Sequence, residues 1–246
     1  MSGHNRWAKI KHKKLASDQR KSAGWSKFLK EITIATRAGG GDPDNNARLR
    51  AAIDRARSDN MPLDTIARAI KKGSGELEGQ AYEEVTYEAY GPGGAALVIE
   101  LVTDNRNRAV AEVRHLLERH GGKMASPGSV TYLFKKRGTI IFEAGAVDED
   151  KLMEAALDLG AEDLQTEGEV VTVLTEPGAY ITVKEGLEQR GFKAAGGEVA
   201  LLPENTIPLG GHEAESLAKL VGVLEEHDDV QNVYANADLP EEAAAE

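Results

Sequence analysis

The chain has 246 residues, 41% of them hydrophobic, and no cysteine. That length accommodates one large domain or two to three small ones around buried cores, and the lack of cysteine excludes disulfide frameworks, thiolate zinc sites and a cysteine nucleophile. The formal charge of −11 conceals an asymmetry: residues 1–37 hold 10 Lys and Arg against 2 Asp and Glu (+8), residues 1–80 hold 17 against 9 (+8), and residues 81–246 hold 13 against 32 (−19). A basic end on an acidic body points to a polyanion held at that end, because the body repels phosphate.

Residues 1–24 are basic and polar, with Trp7 and Ile10 the only large apolar side chains before Leu15. They read as an arm, with a helical stretch accessible over Ala8–Gln19. The opening MSGHNRWAKIKHKK lacks the apolar region of a secretory signal, and no apolar run approaches the ~18 residues of a membrane span. A cytoplasmic protein without a membrane partner is the expectation.

The periodicity predicts a helix over Ser26–Ala38, with Phe28, Leu29, Ile32 and Ala35 facing inward. Lys27, Lys30 and Arg37 share another face and are expected to form an outward basic stripe, interrupted by Ile34. Gly39–Gly41 stops the helix, and Asp42-Pro43 reads as the N-cap and first position of a second, running to about Asp59. Leu49, Ala52, Ile53 and Ala56 face its core; Arg48, Arg50, Arg55 and Arg57 lie outside. Pro62 opens a third helix through Lys72, with Leu63, Ile66 and Ile70 inward and Gly73 as cap. These three make a small helical bundle, and Gly73–Gln80 reads as a linker.

Strands and helices then alternate. Strands are expected at Val85–Tyr90, Ala95–Thr103, Ser129–Phe134, Thr139–Glu143, Asp163–Thr166, Glu169–Leu174, Glu198–Leu202 and Val230–Ala235. Helices are expected at Arg108–His120, Glu149–Leu159, Pro177–Arg190 and Ala214–Glu226. Residues 138–206 alone complete a split-βαβ, ferredoxin-like unit. The pieces before it form a second such unit only if the C-terminal helix and strand return to them. The expected fold is therefore α+β and multidomain: arm 1–24; helical bundle and linker 25–80; an α/β domain from 81–137 plus 207–238; a second α/β domain, 138–206, inserted into it; and an acidic tail, 239–246.

Catalytic patterns are missing. The histidines, His4, His12, His115, His120, His212 and His227, show no metal-ligand spacing such as HExxH. There is no GxSxG elbow and no GxxxxGK[ST] phosphate loop. Gly91–Gly94 joins two strands, so it reads as a hairpin loop rather than a dinucleotide fingerprint, which must precede a helix. Asp148–Asp150 reads as helix capping. No enzyme, cofactor, metal or small-molecule substrate is expected.

The strongest chemistry is in the arm and first helix: His4, Arg6, Trp7, Lys9, Lys11, His12, Lys13, Lys14, Arg20, Lys21, Lys27, Lys30 and Arg37. Lysines on flexible stems neutralise phosphates without base-edge geometry, and Trp7 offers a surface on which a base can stack. Arg48, Arg55, Arg106 and Arg108 are a possible second contact; the last two sit where a strand passes into a helix whose first amides also favour phosphate. Capping by Thr103, Asp104 or Asn105 explains the same segment structurally.

The residues Gly3–Lys14 (GHNRWAKIKHKK) resemble the start shared by the YebC/PmpR family of probable transcriptional regulators, which includes the mitochondrial translational activator of cytochrome c oxidase. Gly39–Pro43, Arg48–Arg50, Ala52–Asp54, Asn60–Pro62, Ala69–Gly73, Tyr87–Gly94, Thr103–Arg108, Ala111–His115 and Gly128–Val130 match further family signatures, so the resemblance spans nearly the whole chain. It implies a three-domain fold with the last domain inserted, no catalytic residue and no cofactor. Two stretches depart from the pattern: Ser22–Trp25 replaces a basic, Gly-Lys-containing stretch, and Met124–Pro127 replaces one that carries Leu-Gly-Glu. The family label implies DNA as partner, and the translational branch implies ribosomal RNA or the ribosome. An acidic protein–protein adaptor is a third possibility. The second helix lacks an obvious set of base readers, and the lysine-rich arm suits folded RNA at least as well as duplex DNA.

Overall fold

The computed structural model describes residues 24–240; the expected arm up to Ala23 and the tail from Glu241 lie outside the described residues. The chain is mixed α+β, with N-terminal helices followed by antiparallel sheets.

Three helices come first: α1 (Gly24–Gly39), α2 (Ala47–Ser58) and α3 (Leu63–Gly73). Gly40 ends α1 in the left-handed region (φ 87°), and its amide closes on Thr36 O at 2.8 Å. The second helix starts later than Asp42-Pro43 suggests. Asp42 instead closes a turn, its carboxylate accepting from Asp44 N (3.0 Å) and Asn45 Nδ2 (2.6 Å). Asn46 is the cap. Its Oδ1 accepts from Leu49 N at 3.0 Å while its Nδ2 donates to Ala35 O and Gly40 O, each at 2.8 Å. One buried side chain thus satisfies the start of α2 and the orphan carbonyls at the end of α1, which Asp42 cannot do. Ile32, Leu49, Ile53, Met61 and Ile66 form the core. Leu63, expected inward, is 63% exposed; Met61, at 4%, takes its place.

The first sheet has the order β3-β1-β2-β9, from β1 (Glu83–Tyr90), β2 (Ala96–Thr103), β3 (Lys123–Met124) and β9 (Val230–Ala235). Helices α4 (Arg106–Arg119) and α7 (Gly211–Glu226) cover one face, packing Val113, Leu117, Leu217, Leu220 and Leu224 on Leu97, Ile99 and Leu101. On the other face Ala96, Val98 and Tyr234 meet Val130, Phe134 and Ala200. Coverage on both sides explains why β2 is a nearly continuous apolar run rather than an alternating one. Its one break, Glu100, accepts from Asn232 Nδ2 (3.0 Å) and the Tyr234 hydroxyl (3.2 Å).

The second sheet, order β5-β6-β4-β7, uses β4 (Phe134–Glu143), β5 (Asp163–Glu167), β6 (Val170–Thr175) and β7 (Gly196–Pro203). Helices α5 (Glu149–Asp158) and α6 (Tyr180–Gln189) bury Leu152, Val183 and Leu187 against Ile140, Phe142, Val171 and Val173. The chain thus lays down β1–β3, builds all of the second sheet, and returns through α7 to add β9 to the first. A short parallel pair, β8 (Ile207–Pro208) with β10 (Ala237–Asp238), ties the return together.

The strand expected at Ser129–Phe134 does not form. Thr131–Leu133 is a turn of 3-10 helix, Phe134 opens β4, and the first sheet's edge strand is Lys123–Met124. Glu88 is the reason. Its buried carboxylate accepts from the amides of Gly128 (2.5 Å), Val130 (2.6 Å) and Thr131 (2.9 Å), which are then no longer available to a neighbouring strand. Burial opposes ionisation of this carboxyl, but the three amides overcome it and hold the group below the usual carboxylate range.

Candidate nucleic-acid interface

The arm residues His4, Arg6, Trp7, Lys9, Lys11, His12, Lys13, Lys14, Arg20 and Lys21 lie outside the described residues. Of the stripe on α1, Lys27 and Lys30 do not face outward. Lys27 Nζ donates to Glu225 O at 2.5 Å, at the end of α7. Lys30 Nζ reaches Asp229 Oδ1 at 2.5 Å and Asp228 O at 3.0 Å. Ile34, the residue that interrupts the stripe, is buried. This face of α1 therefore lies against the first α/β unit, and α1 is covered on two sides. Arg37 remains exposed, its Nη1 donating to Tyr82 O at 3.3 Å.

Asp229 organises this seam. Besides Lys30, its carboxylate accepts from Arg108 Nη2 (2.8 Å) and the Thr103 hydroxyl (2.9 Å). Burial works against its charge, yet the bonds from Lys30, Arg108 and Thr103 hold its carboxyl below the usual range. The hydrogen bonds that Arg108 donates to Asp229 and Asp104 in turn hold its guanidinium charged. His227 Nδ1 accepts from the Asp229 amide at 3.1 Å, which leaves Nε2 to donate to Glu112 at 2.9 Å. Glu112, His227 and Asp229 converge closely enough to suggest a metal site. Lys30 and Arg108 already supply the positive charge there, so a divalent ion has to displace a lysine or an arginine.

The proposed second contact divides in the same way. Arg48 bridges Glu31 (2.8 Å) and Glu84 (2.5 Å), linking α1, α2 and β1. Arg55 pairs with Glu198 of β7 at 3.4 Å, and Arg50 with Glu185 of α6 at 3.2 Å. Arg108 is bound to Asp229 and Asp104. Asn105, one of the three candidate caps, is the cap of α4, its Oδ1 accepting from Arg108 N at 3.0 Å. Arg106 and Arg57 are exposed, with no side-chain partner among the described residues. Asp229 escapes sequence reading because it ends the run Glu225–Asp229, which looks like a solvated acidic surface.

Comparison with known proteins agrees with this architecture. Residues 5–76 match the family model described as the TACO1/YebC protein N-terminal domain, and residues 82–237 match the one described as the TACO1/YebC second and third domain. A "probable transcriptional regulatory protein" of Acidithiobacillus ferrooxidans is 54% identical over 245 residues, covering 100% of this chain and 98% of that one. Another of that name, from Desulfatibacillum aliphaticivorans, is 51% identical over 246 residues and the whole of both chains. The crystal structure of a conserved hypothetical protein from Aquifex aeolicus superposes with a TM-score of 0.80 at 45% identity, covering 89% of this chain and 90% of that one. The chain belongs to the TACO1/YebC family.

Proposed function

We propose that this protein is a non-enzymatic, cytoplasmic regulator of gene expression that grips nucleic acid through the phosphate backbone, using the lysines between Lys9 and Lys21. The observation that carries the reading is the charge split, +8 over residues 1–37 against −19 over residues 81–246. The docked bundle sharpens it: Lys27, Lys30, Arg48, Arg50 and Arg55 are bonded to the acidic units, whereas residues 1–24 add seven Lys and Arg against a single acid. The regulatory name carried by the relatives from Acidithiobacillus and Desulfatibacillum supports a role in gene expression. The return of β9 to the first sheet supports two ferredoxin-like units with the second inserted in the first.

One observation favours RNA of the translation machinery over operator DNA. A helix that reads a major groove must present free side chains to base edges. Arg48, Arg50 and Arg55 of α2 are tied to Glu31, Glu84, Glu185 and Glu198 instead.

Sedimentation of tagged protein in cell lysate, with and without RNase, tests the reading. Co-migration with ribosomes, lost when Lys9, Lys11, Lys13 and Lys14 are changed to Glu, supports the RNA reading. Protein at the top of the gradient that retards duplex DNA with sequence preference supports the DNA reading. Retention of all nucleic-acid binding by the four-Glu variant overturns the arm as the contact.

A further inference from the structure

At the end of the α4/α7 layer far from the bundle, the β1–β2 loop, the C-terminus of α4 and the N-terminus of α7 enclose a cleft of about 500 Å³. Arg119, His120, His212 and Lys219 line it together with the Ser216 hydroxyl, and Glu213 is the one lining carboxylate among the described residues. None of the four basic side chains has a partner among the described residues. Over residues 81–246 acids outnumber cations 32 to 13. Arg108, Lys135, Arg137, Lys151, Lys184 and Arg190 are all paired with carboxylates. The cations of the cleft come from separate segments and are left open.

The backbone of the cleft suits an anion as well. Gly210 caps α7 without a side-chain hydrogen bond, so the first amides of a 16-residue helix have no side-chain acceptor. The loop can lie this close to the start of α7 only because it is glycine: Gly93 takes φ 67°, and a Cβ there would meet Leu209 Cδ2 at 2.5 Å and Oε2 of Glu213, the acid of the first turn of α7, at 3.3 Å. A phosphate in the cleft would receive charge from Arg119 and Lys219, a hydroxyl from Ser216 and the positive end of the α7 dipole.

We propose that this cleft is a second phosphate-binding site, taking a backbone phosphate of the nucleic acid that the arm holds; this rests on the proposed function above. The start of the described chain and the cleft lie at opposite ends of α7. Lys27 bonds to Glu225 at its C-terminal end and His212 lies at its N-terminal end, about 20 Å away at 1.5 Å per residue. The site gives the acidic α/β unit a defined attractive point for phosphate.

The test uses the full chain and a labelled single-stranded RNA oligonucleotide, followed by fluorescence anisotropy across a salt series. R119Q/K219Q, both residues exposed, is compared with wild type and with the four-Glu arm variant. Loss of two phosphate contacts is expected to weaken binding about 10-fold and to flatten the log K against log salt slope by about 1.4. Wild-type affinity and slope in R119Q/K219Q, with an unchanged melting temperature, overturns the cleft. If the arm variant binds normally while R119Q/K219Q does not, the arm reading fails and the cleft stands. Inorganic pyrophosphate should shift the amide resonances of Gly93 and Gly211–Ala214 in wild type and not in the double variant; shifts elsewhere only, or none, also overturn the site.

Discussion

Lys30 and Asp229 are 199 positions apart in the chain and meet at 2.5 Å, with side chains only 12% and 3% exposed. This pair fastens the bundle to the first α/β unit, and removing one partner strands a largely buried charge. Asp229→Ala is expected to destabilise the protein by about 3 kcal/mol, read as a lower midpoint in urea unfolding. Lys30→Met keeps the apolar stem and leaves Asp229 its bonds to Arg108 and Thr103, so it should cost less. Equal losses in the two variants would mean that Lys30, not the Asp229 network, holds the seam.

Acid should act through the same group and through Glu88. Both carboxyls are held below their ordinary values in the folded chain. A depressed folded pKa contributes stability that is present above the unfolded value, near 4, and is lost as pH falls through the folded one. Unfolding free energy should therefore be level near neutrality and fall below about pH 4. Asp229→Asn and Glu88→Gln should each lower the neutral value and shallow the acid slope. A slope unchanged in both variants would assign acid sensitivity to other carboxylates.

Glu88 holds the turn that replaces the expected strand. Glu88→Ala leaves the amides of Gly128, Val130 and Thr131 without their acceptor, at a cost of about 2–3 kcal/mol. Hydrogen exchange should quicken first at those amides, ahead of the β1–β2 ladder. Uniform acceleration across the sheet would show that the turn opens only with global unfolding.

Gly73 gives a prediction in which two effects oppose. Alanine in a helix is favoured over glycine by about 1 kcal/mol. At Gly73, however, a Cβ would meet Thr33 O and Thr36 Cβ, each at 2.6 Å, where α3 crosses α1. Backbone cannot turn aside as a side chain can, so Gly73→Ala should destabilise the protein by a net 1–2 kcal/mol, seen as a lower melting temperature. A rise would show that the helices separate freely.

The half-exposed ion pairs of α2 should matter little. Arg48→Ala and Arg55→Ala remove pairs whose arginines are 40% and 50% exposed, each worth about 0–1 kcal/mol. Because these arginines already serve carboxylates, neither change should alter RNA or DNA affinity by more than about 2-fold. A larger loss would return α2 to the binding surface.

What the sequence determined is local. The 3.6-residue period marked the three bundle helices, Gly39–Gly41 marked the stop of the first, and Gly91–Gly94 marked the hairpin, because each signal lies within a few residues of what it controls. The charge split and the family resemblance were legible for a like reason: neither needs a contact to be known. Tertiary structure decided the rest. Lys27, Lys30 and Ile34 look like a flawed outward stripe until Asp229 and the first sheet arrive against them. Asn46 outranks Asp42 as a cap only because the end of α1 also needs it. Glu88 reads as one acid in an alternating strand, yet it bends a segment some 40 positions on. Arg119, His120, His212 and Lys219 share a cleft only once α7 has returned to pack beside α4. Long-range charge pairing leaves no periodic trace, since its strength depends on burial and distance, and folding alone sets both.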